Sequence, residues 1–195
     1  MNNLIPPFIL QQFQNGRFSG QFTAVSLFID IAGFTTLSEQ LVPHGKQGAE
    51  LLADTMTAVF DPMLAAVFGC GGIVTGFAGD SFTALFPITA DEAAVYQQAL
   101  VAAQTIQQQF QQQPIRHTML GDFSFAVKIG LANGAVQWGI LKGDGERPLH
   151  AYYFRGTAVT ACVLAEQQAG QGDLILSPNA AAQLAAVVTT EPAPA

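Results

Sequence analysis

The stretch FIDIAGFTTLSE (28–39) constrains this chain more than any other. The run from Thr23 to Ile29 reads as a strand, rich in β-branched and apolar residues. It ends on a carboxylate, Asp30. Gly33 and hydroxyl residues follow, and a helical pattern begins at Thr35. Only 11% of the chain is charged, so an acid at the end of a buried strand needs a physical reason. A second acid, Asp80, sits in GFAGDSFTALFP (76–87). There Ile73–Phe77 and Ser81–Phe86 read as two strands around a tight Ala78-Gly79-Asp80 turn.

Each acid alone has an ordinary reading. Asp30 would cap the helix after it, and Asp80 would be a turn residue. The order of elements favours a joint role. After the first strand, helical signal runs from Thr35 to about Phe68, interrupted at Pro43–His44–Gly45, and Pro62 predicts a kink or break within it. The hairpin with Asp80 comes next. A Gln-rich helix spans Asp91 to about Gln113, with Ala94, Leu100, Val101, Ile106 and Phe110 on its apolar side. Phe123–Leu131 and Ala135–Leu141 read as a second hairpin around Ala132-Asn133-Gly134. Tyr152–Phe154 extends a strand, Gly156–Gln168 is a helix, Leu174–Leu176 a short strand and Pro178–Leu184 a short helix. This order predicts an α+β fold: a ferredoxin-like sandwich, a mainly antiparallel sheet with helices packed on it. In such a core the strand ending at Asp30 lies beside the hairpin of Asp80. Both carboxylates then point at one spot, where they repel unless a cation sits between them. Hard oxygen donors suit Mg²⁺. Ile31-Ala32-Gly33-Phe34-Thr35 leads straight into a helix, whose N–H groups and dipole favour an anion. A metal beside an anion cradle points to phosphate chemistry on a nucleotide.

Composition narrows the setting. The chain has 195 residues, enough for one domain with a sizeable core, and half of them are hydrophobic. The net charge is −7, and the seven basic residues are scattered, so no nucleic-acid partner is expected. Cys70 and Cys162 lie in apolar surroundings and read as buried thiols, as in a reducing compartment. No run of 18 apolar residues and no signal-peptide pattern is present, so a cytoplasmic protein with no membrane association is expected. His44, His117 and His150 have no acid or Cys partner at ligand spacing. Trp138 reads as core or dimer-face packing. Ile5, Phe8, Ile9 and Phe13 form the apolar stripe of a short helix on the domain edge. The expected division is an N-terminal lead at 1–22, a domain at 23–188, and a linker or tail at 189–195.

F-x-D-I-x-G-F-T at 28–35 resembles the signature of class III adenylate/guanylate cyclase catalytic domains, and Gly79-Asp80 in a hairpin resembles their second metal site. VKIGLANGAV (127–136) is similar to the family's V-R-I-G-I-H-x-G-x-V segment. YYFRGTAVTACVLAE (152–166) occupies the place of its Y-D-x-W-G-x-x-V-N-x-A-S-R-x-E segment. The resemblance covers roughly residues 23–177. It implies two Mg²⁺ ions, with Mn²⁺ or Ca²⁺ as alternatives, held by Asp30, Asp80 and the main-chain carbonyl of Ile31. It also implies attack of a ribose 3′-hydroxyl on the α-phosphate of ATP or GTP, with loss of pyrophosphate. Residues 31–35 (Ile31, Ala32, Gly33, Phe34 and Thr35) would hold phosphate. Lys142 and Arg147 lie in the loop region after a strand, where first-half domains bring a basic side chain to the triphosphate. Diguanylate cyclases carry a hairpin similar to AGDSF (78–82), but Ser81 stands where they place an acid.

The sequence also departs from the family. The place of the base-reading Lys holds Gly76, and that of its partner holds Tyr153. The ribose-orienting Asn is replaced by Thr160, and the Arg that neutralises charge on the phosphate by Leu164. Losing one preorganised donor costs about 10²–10³ in rate. The pattern resembles the first, metal-binding half of a tandem soluble cyclase, a phosphorus–oxygen lyase whose site is heterodimeric. Such a half-domain binds metal and triphosphate, needs a second cyclase domain from the same longer chain or from a dimer, and has little activity alone. The alternative is a catalytically inactive regulatory or dimerisation domain. The bicarbonate-responsive soluble cyclases carry basic residues at the places of Gly76 and Leu164, so bicarbonate sensing through this site is not expected.

Overall fold

The computed structural model describes residues 5–143, 150–186, 188–189 and 191. At its centre is β1 (Ser19–Ala32), which pairs antiparallel with β3 (Ser81–Pro87) on one side and β6 (Ala126–Lys142) on the other. Adding β2 (Ile73–Ala78) and β7 (His150–Arg155) gives the order β2-β3-β1-β6-β7, while β8 (Leu174–Leu176) runs parallel to residues 129–131 of β6. This is the expected α+β sandwich on a mainly antiparallel sheet.

Side chains alternate across a strand, and β1 uses both faces. Val25, Leu27, Ile29 and Ile31 join the main core, which also takes in residues of α3 (Gly45–Gly69) and α4 (Glu92–Gln112). Ala24 and Ser26 face α5 (Thr157–Glu166). Ser26 is fully buried, and its hydroxyl donates to the Ala158 carbonyl at 2.7 Å. On this second face, α1 (Pro7–Gln14) sets Phe8 and Ile9 against Trp138 and Ile140. Trp138 is therefore packing between helix and sheet within the chain.

The helical segment after β1 divides as its Pro-His-Gly interruption predicts. α2 (Phe34–Leu41) gives way to one 3₁₀ turn, Val42–His44, and then α3. By length and composition alone, Phe34–Gly69 is apolar enough to cross a membrane. Its Leu37, Leu41, Val59, Phe60, Met63 and Val67 are instead buried in the main core. Of the kink or break expected at Pro62, the break is absent: α3 runs through that proline as one helix. α4 is capped by the Asp91 carboxylate, which accepts from the Ala94 N–H at 3.1 Å. Of its expected apolar side, Leu100, Ile106 and Phe110 are buried and Val101 is exposed, while Val95, Tyr96 and Ala99 are buried as well.

The clearest correction concerns residues 123–141. The predicted hairpin does not exist. β6 is one 17-residue strand whose pairing with β1 continues from Ala126↔Ala32 to Gly139↔Ser19, through Asn133↔Val25 and Gly134↔Ala24. Gly134 serves a close approach rather than a turn, since a Cβ there would lie 2.5 Å from the Thr157 hydroxyl oxygen and 2.9 Å from the Ala158 nitrogen. The real hairpin lies just before it: β4 (Ile115–Thr118) and β5 (Gly121–Ser124) form a separate two-stranded sheet. Across that hairpin His117 is locally hydrogen-bonded, as expected of a surface histidine, with its Nδ1 2.8 Å from Asp122 Oδ1. Both cysteines are free thiols, Cys162 buried and Cys70 half-buried.

Candidate active site

Asp30 lies within β1, two residues before the strand ends, and opposite Ser81 of β3. Asp80 immediately precedes Ser81, in the turn between β2 and β3. The Ile31 N–H donates to the Asp80 carbonyl at 3.3 Å, which ties the two acid-bearing segments together at one corner of the sheet. The ordinary readings of both acids give way here. The residue at the N-cap of α2 is Gly33, so Asp30 does not cap that helix. The hairpin turn takes its left-handed residue from Gly79 and its side-chain hydrogen bond from Ser81, whose hydroxyl donates to the Ala78 carbonyl at 2.9 Å. Asp80 thus stands on a braced turn, with its backbone at the corner. A groove lined by Met56, Thr57, Phe60, Asp61, Phe77 and Gly79 reaches the residue before Asp80, but neither Asp30 nor Asp80 lines it.

The segment 31–35 wraps the same corner. Ile31 and Ala32 finish β1, Gly33 turns the chain, and Phe34 and Thr35 open α2. Gly33 has φ +101°, and a Cβ there would overlap the Ser124 carbonyl oxygen. The first N–H groups of a helix have no intrahelical partner, so those at the start of α2 point out of it beside Asp30. The Ile31 N–H is not among the groups available to an anion, because Asp80 uses it.

Two residues of this corner were not foreseen. Lys128 of β6 stands opposite Asp30 in register, and its Nζ lies 3.3 Å from Asp30 Oδ2. The same ammonium lies 2.5 Å from Glu166 Oε1 at the end of α5, where the Glu166 side chain is only 7% exposed. The Lys128 pKa is raised, first by the hydrogen bond to Glu166 and then by the charges of Glu166 and Asp30, against an opposing effect of burial. The sequence held a signal for the pair. Glu166 is the lone acid of the otherwise apolar helix TAVTACVLAE, and Lys128 is the lone charge in VKIGLANGAV. A buried acid in such a helix requires a cation nearby.

Lys142 closes the opposite end of β6 from Lys128, about 46 Å along the strand at ~3.3 Å per residue. Its side chain, that of His150, and Arg147 lie outside the described residues, as do residues 190 and 192–195 of the tail. None of the four departing positions carries a cation or a side-chain amide. Gly76 is exposed beside a bulge in β2. Tyr153 in β7 lies under the Arg155 guanidinium at 5.5 Å. Arg155 also donates from Nε to Gln137 Oε1 at 3.1 Å. Thr160 and Leu164 are one turn apart on the outer side of α5, and Leu164 is 54% exposed.

A mainly antiparallel sheet that brings a strand-end acid beside a hairpin acid, next to a glycine-started helix, is the framework of a nucleotidyl cyclase domain. The chain belongs to the adenylate and guanylate cyclase catalytic domain family, whose model matches residues 19–192. It is 29% identical over 161 residues to adenylate cyclase type 10 of Rattus norvegicus, a match covering 81% of this chain and 10% of that protein. The chain thus spans about a tenth of the length of the curated relatives it matches. Its fold is similar to the dimeric guanylyl cyclase domain of the RhoGC fusion protein from Blastocladiella emersonii (TM-score 0.70, 19% identity, 90% of each chain covered). It is also similar to the guanylate cyclase domain of RhGC from Catenaria anguillulae in complex with GTP (TM-score 0.66, 19% identity, 85% of this chain and 84% of that one).

Proposed function

We propose that this chain is the metal-binding half of a heterodimeric nucleotidyl cyclase site, with little activity alone. One observation supports it above others: the Asp30–Asp80 corner is assembled, while Gly76, Tyr153, Thr160 and Leu164 offer neither cation nor amide in the complementary places. The donor set suits a hard divalent ion, since two carboxylates and the Ile31 carbonyl are all oxygen ligands. Lys128 contacts Asp30 through Oδ2, and a carboxylate has a second oxygen and further lone pairs to offer. Asp30, Asp80 and Ile31 would hold two Mg²⁺, or Mn²⁺ or Ca²⁺ in their place. Bound there, the ions would supply Lewis-acid activation of a 3′-hydroxyl and neutralise charge on departing pyrophosphate. The chain's own part is to fix the acids on a strand end and a braced hairpin, and to present the first N–H groups of α2 to phosphate. A second cyclase domain would read the base of ATP or GTP and neutralise the α-phosphate.

The test is reconstitution. This chain is mixed with a cyclase domain that carries Lys, Asn and Arg at the places of Gly76, Thr160 and Leu164, and cyclic nucleotide is measured from ATP and from GTP. Neither component should turn over alone and the mixture should, with Asp30→Ala or Asp80→Ala in this chain abolishing it. Activity that survives either substitution removes the metal role. If no Mg²⁺-dependent nucleotide binding appears by calorimetry with the partner present, the inactive regulatory or dimerisation reading replaces this one.

A further inference from the structure

We propose that Lys128 is a positioning residue for Asp30, and that Glu166 on α5 is the anchor that holds Lys128 in place. The inference rests on the metal reading of Asp30. Glu166 is buried, and a buried carboxylate is retained where a cation pairs with it. Lys128 is that cation, and 2.5 Å against 3.3 Å makes Glu166 its closer partner and Asp30 its second. An ammonium has three N–H donors, so one can engage Glu166 while another fixes Oδ2 of Asp30. The second Asp30 oxygen is left for a metal.

The packing that allows this is specific. At Gly130, two residues along β6, a Cβ would overlap the Cys162 carbonyl and come within 3.0 Å of the Glu166 Cβ. With no side chain there, α5 rests directly on the strand and delivers Glu166 to Lys128. Helix α5 is thereby tied to the metal corner, although its outer residues Thr160 and Leu164 face away from it. Outer partners that orient a ligating carboxylate typically govern metal affinity by about 10–100-fold.

The experiment titrates the 195-residue chain with Mn²⁺ alone and reads the free ion by electron paramagnetic resonance. The key variant is K128M/E166Q, which removes cation and anchor together, leaves no charge at the buried position 166 and keeps the net charge unchanged. It should bind Mn²⁺ about 10–100-fold more weakly than the parent, with a parental circular dichroism spectrum. Lys128→Arg, which keeps a cation between the two acids, should stay close to the parent. Should the double variant not fold, Glu166→Gln alone serves, and its affinity should fall in the same direction. Parental affinity in the folded variant overturns the inference and leaves the metal reading intact. A parent chain that binds no Mn²⁺, or binds it equally after Asp30→Asn and Asp80→Asn, removes both.

Discussion

Gly33→Ala probes the fold and the candidate phosphate cradle with one methyl group. Gly33 sits at φ +101°, where a side chain is strained by about 1–2 kcal/mol. Its Cβ would also overlap the Ser124 carbonyl oxygen, a backbone atom that cannot rotate aside. Forcing extra volume into a packed contact costs about 1–3 kcal/mol more. The expected loss is therefore about 3 kcal/mol, or a fall in Tm of roughly 6–12 °C for a chain of this size. Gly16→Ala is the matched control. Gly16 has φ +69° and nothing within 4 Å of its Cβ, so only the strain applies, about 1 kcal/mol. Urea titration of both variants isolates the overlap as their difference. Equal losses would refute the claim that the Ser124 carbonyl closes over Gly33.

Three further outcomes are expected. Ser26→Ala removes a buried hydroxyl that ties β1 to α5, and should cost about 1 kcal/mol in urea titration, with no change in the slope against denaturant. Burial pushes the Cys162 thiol from 9.0 up to about 11. The folded state holds this proton more tightly than the unfolded state, so its contribution is full below pH 9 and lost as pH rises to 11. That loss is on the order of 2 kcal/mol in the parent, and Cys162→Ala should remove this part of the alkaline slope. Finally, a variant combining Gly76→Lys, Tyr153→Asp, Thr160→Asn and Leu164→Arg should make cyclic nucleotide as a homodimer, at least about 10²-fold above the parent. Background turnover from a normally folded variant would show that more than these four groups is missing.

Much of the fold was legible because its signals are local. The apolar run before Asp30, the Pro-His-Gly interruption and the Gly-Asp hairpin each declare themselves within a few residues. β6 was not legible for the same reason. Asn133-Gly134 is a strong hairpin signal when read locally, but the glycine answers to Thr157, which the sequence does not place beside it. At the site, topology alone sets the segments that carry Asp30 and Asp80 side by side. The Lys128–Glu166 tether does not follow from it, because it depends on where α5 crosses β6.

The central claim is that two acids on neighbouring segments jointly hold divalent metal. Anomalous diffraction from a crystal grown with MnCl₂ and a non-reactive ATP analogue tests it most directly. Peaks coordinated by the carboxylates of Asp30 and Asp80 and by the Ile31 carbonyl are the expected result. A well-ordered corner with no anomalous peak, or metal bound only elsewhere, contradicts the account.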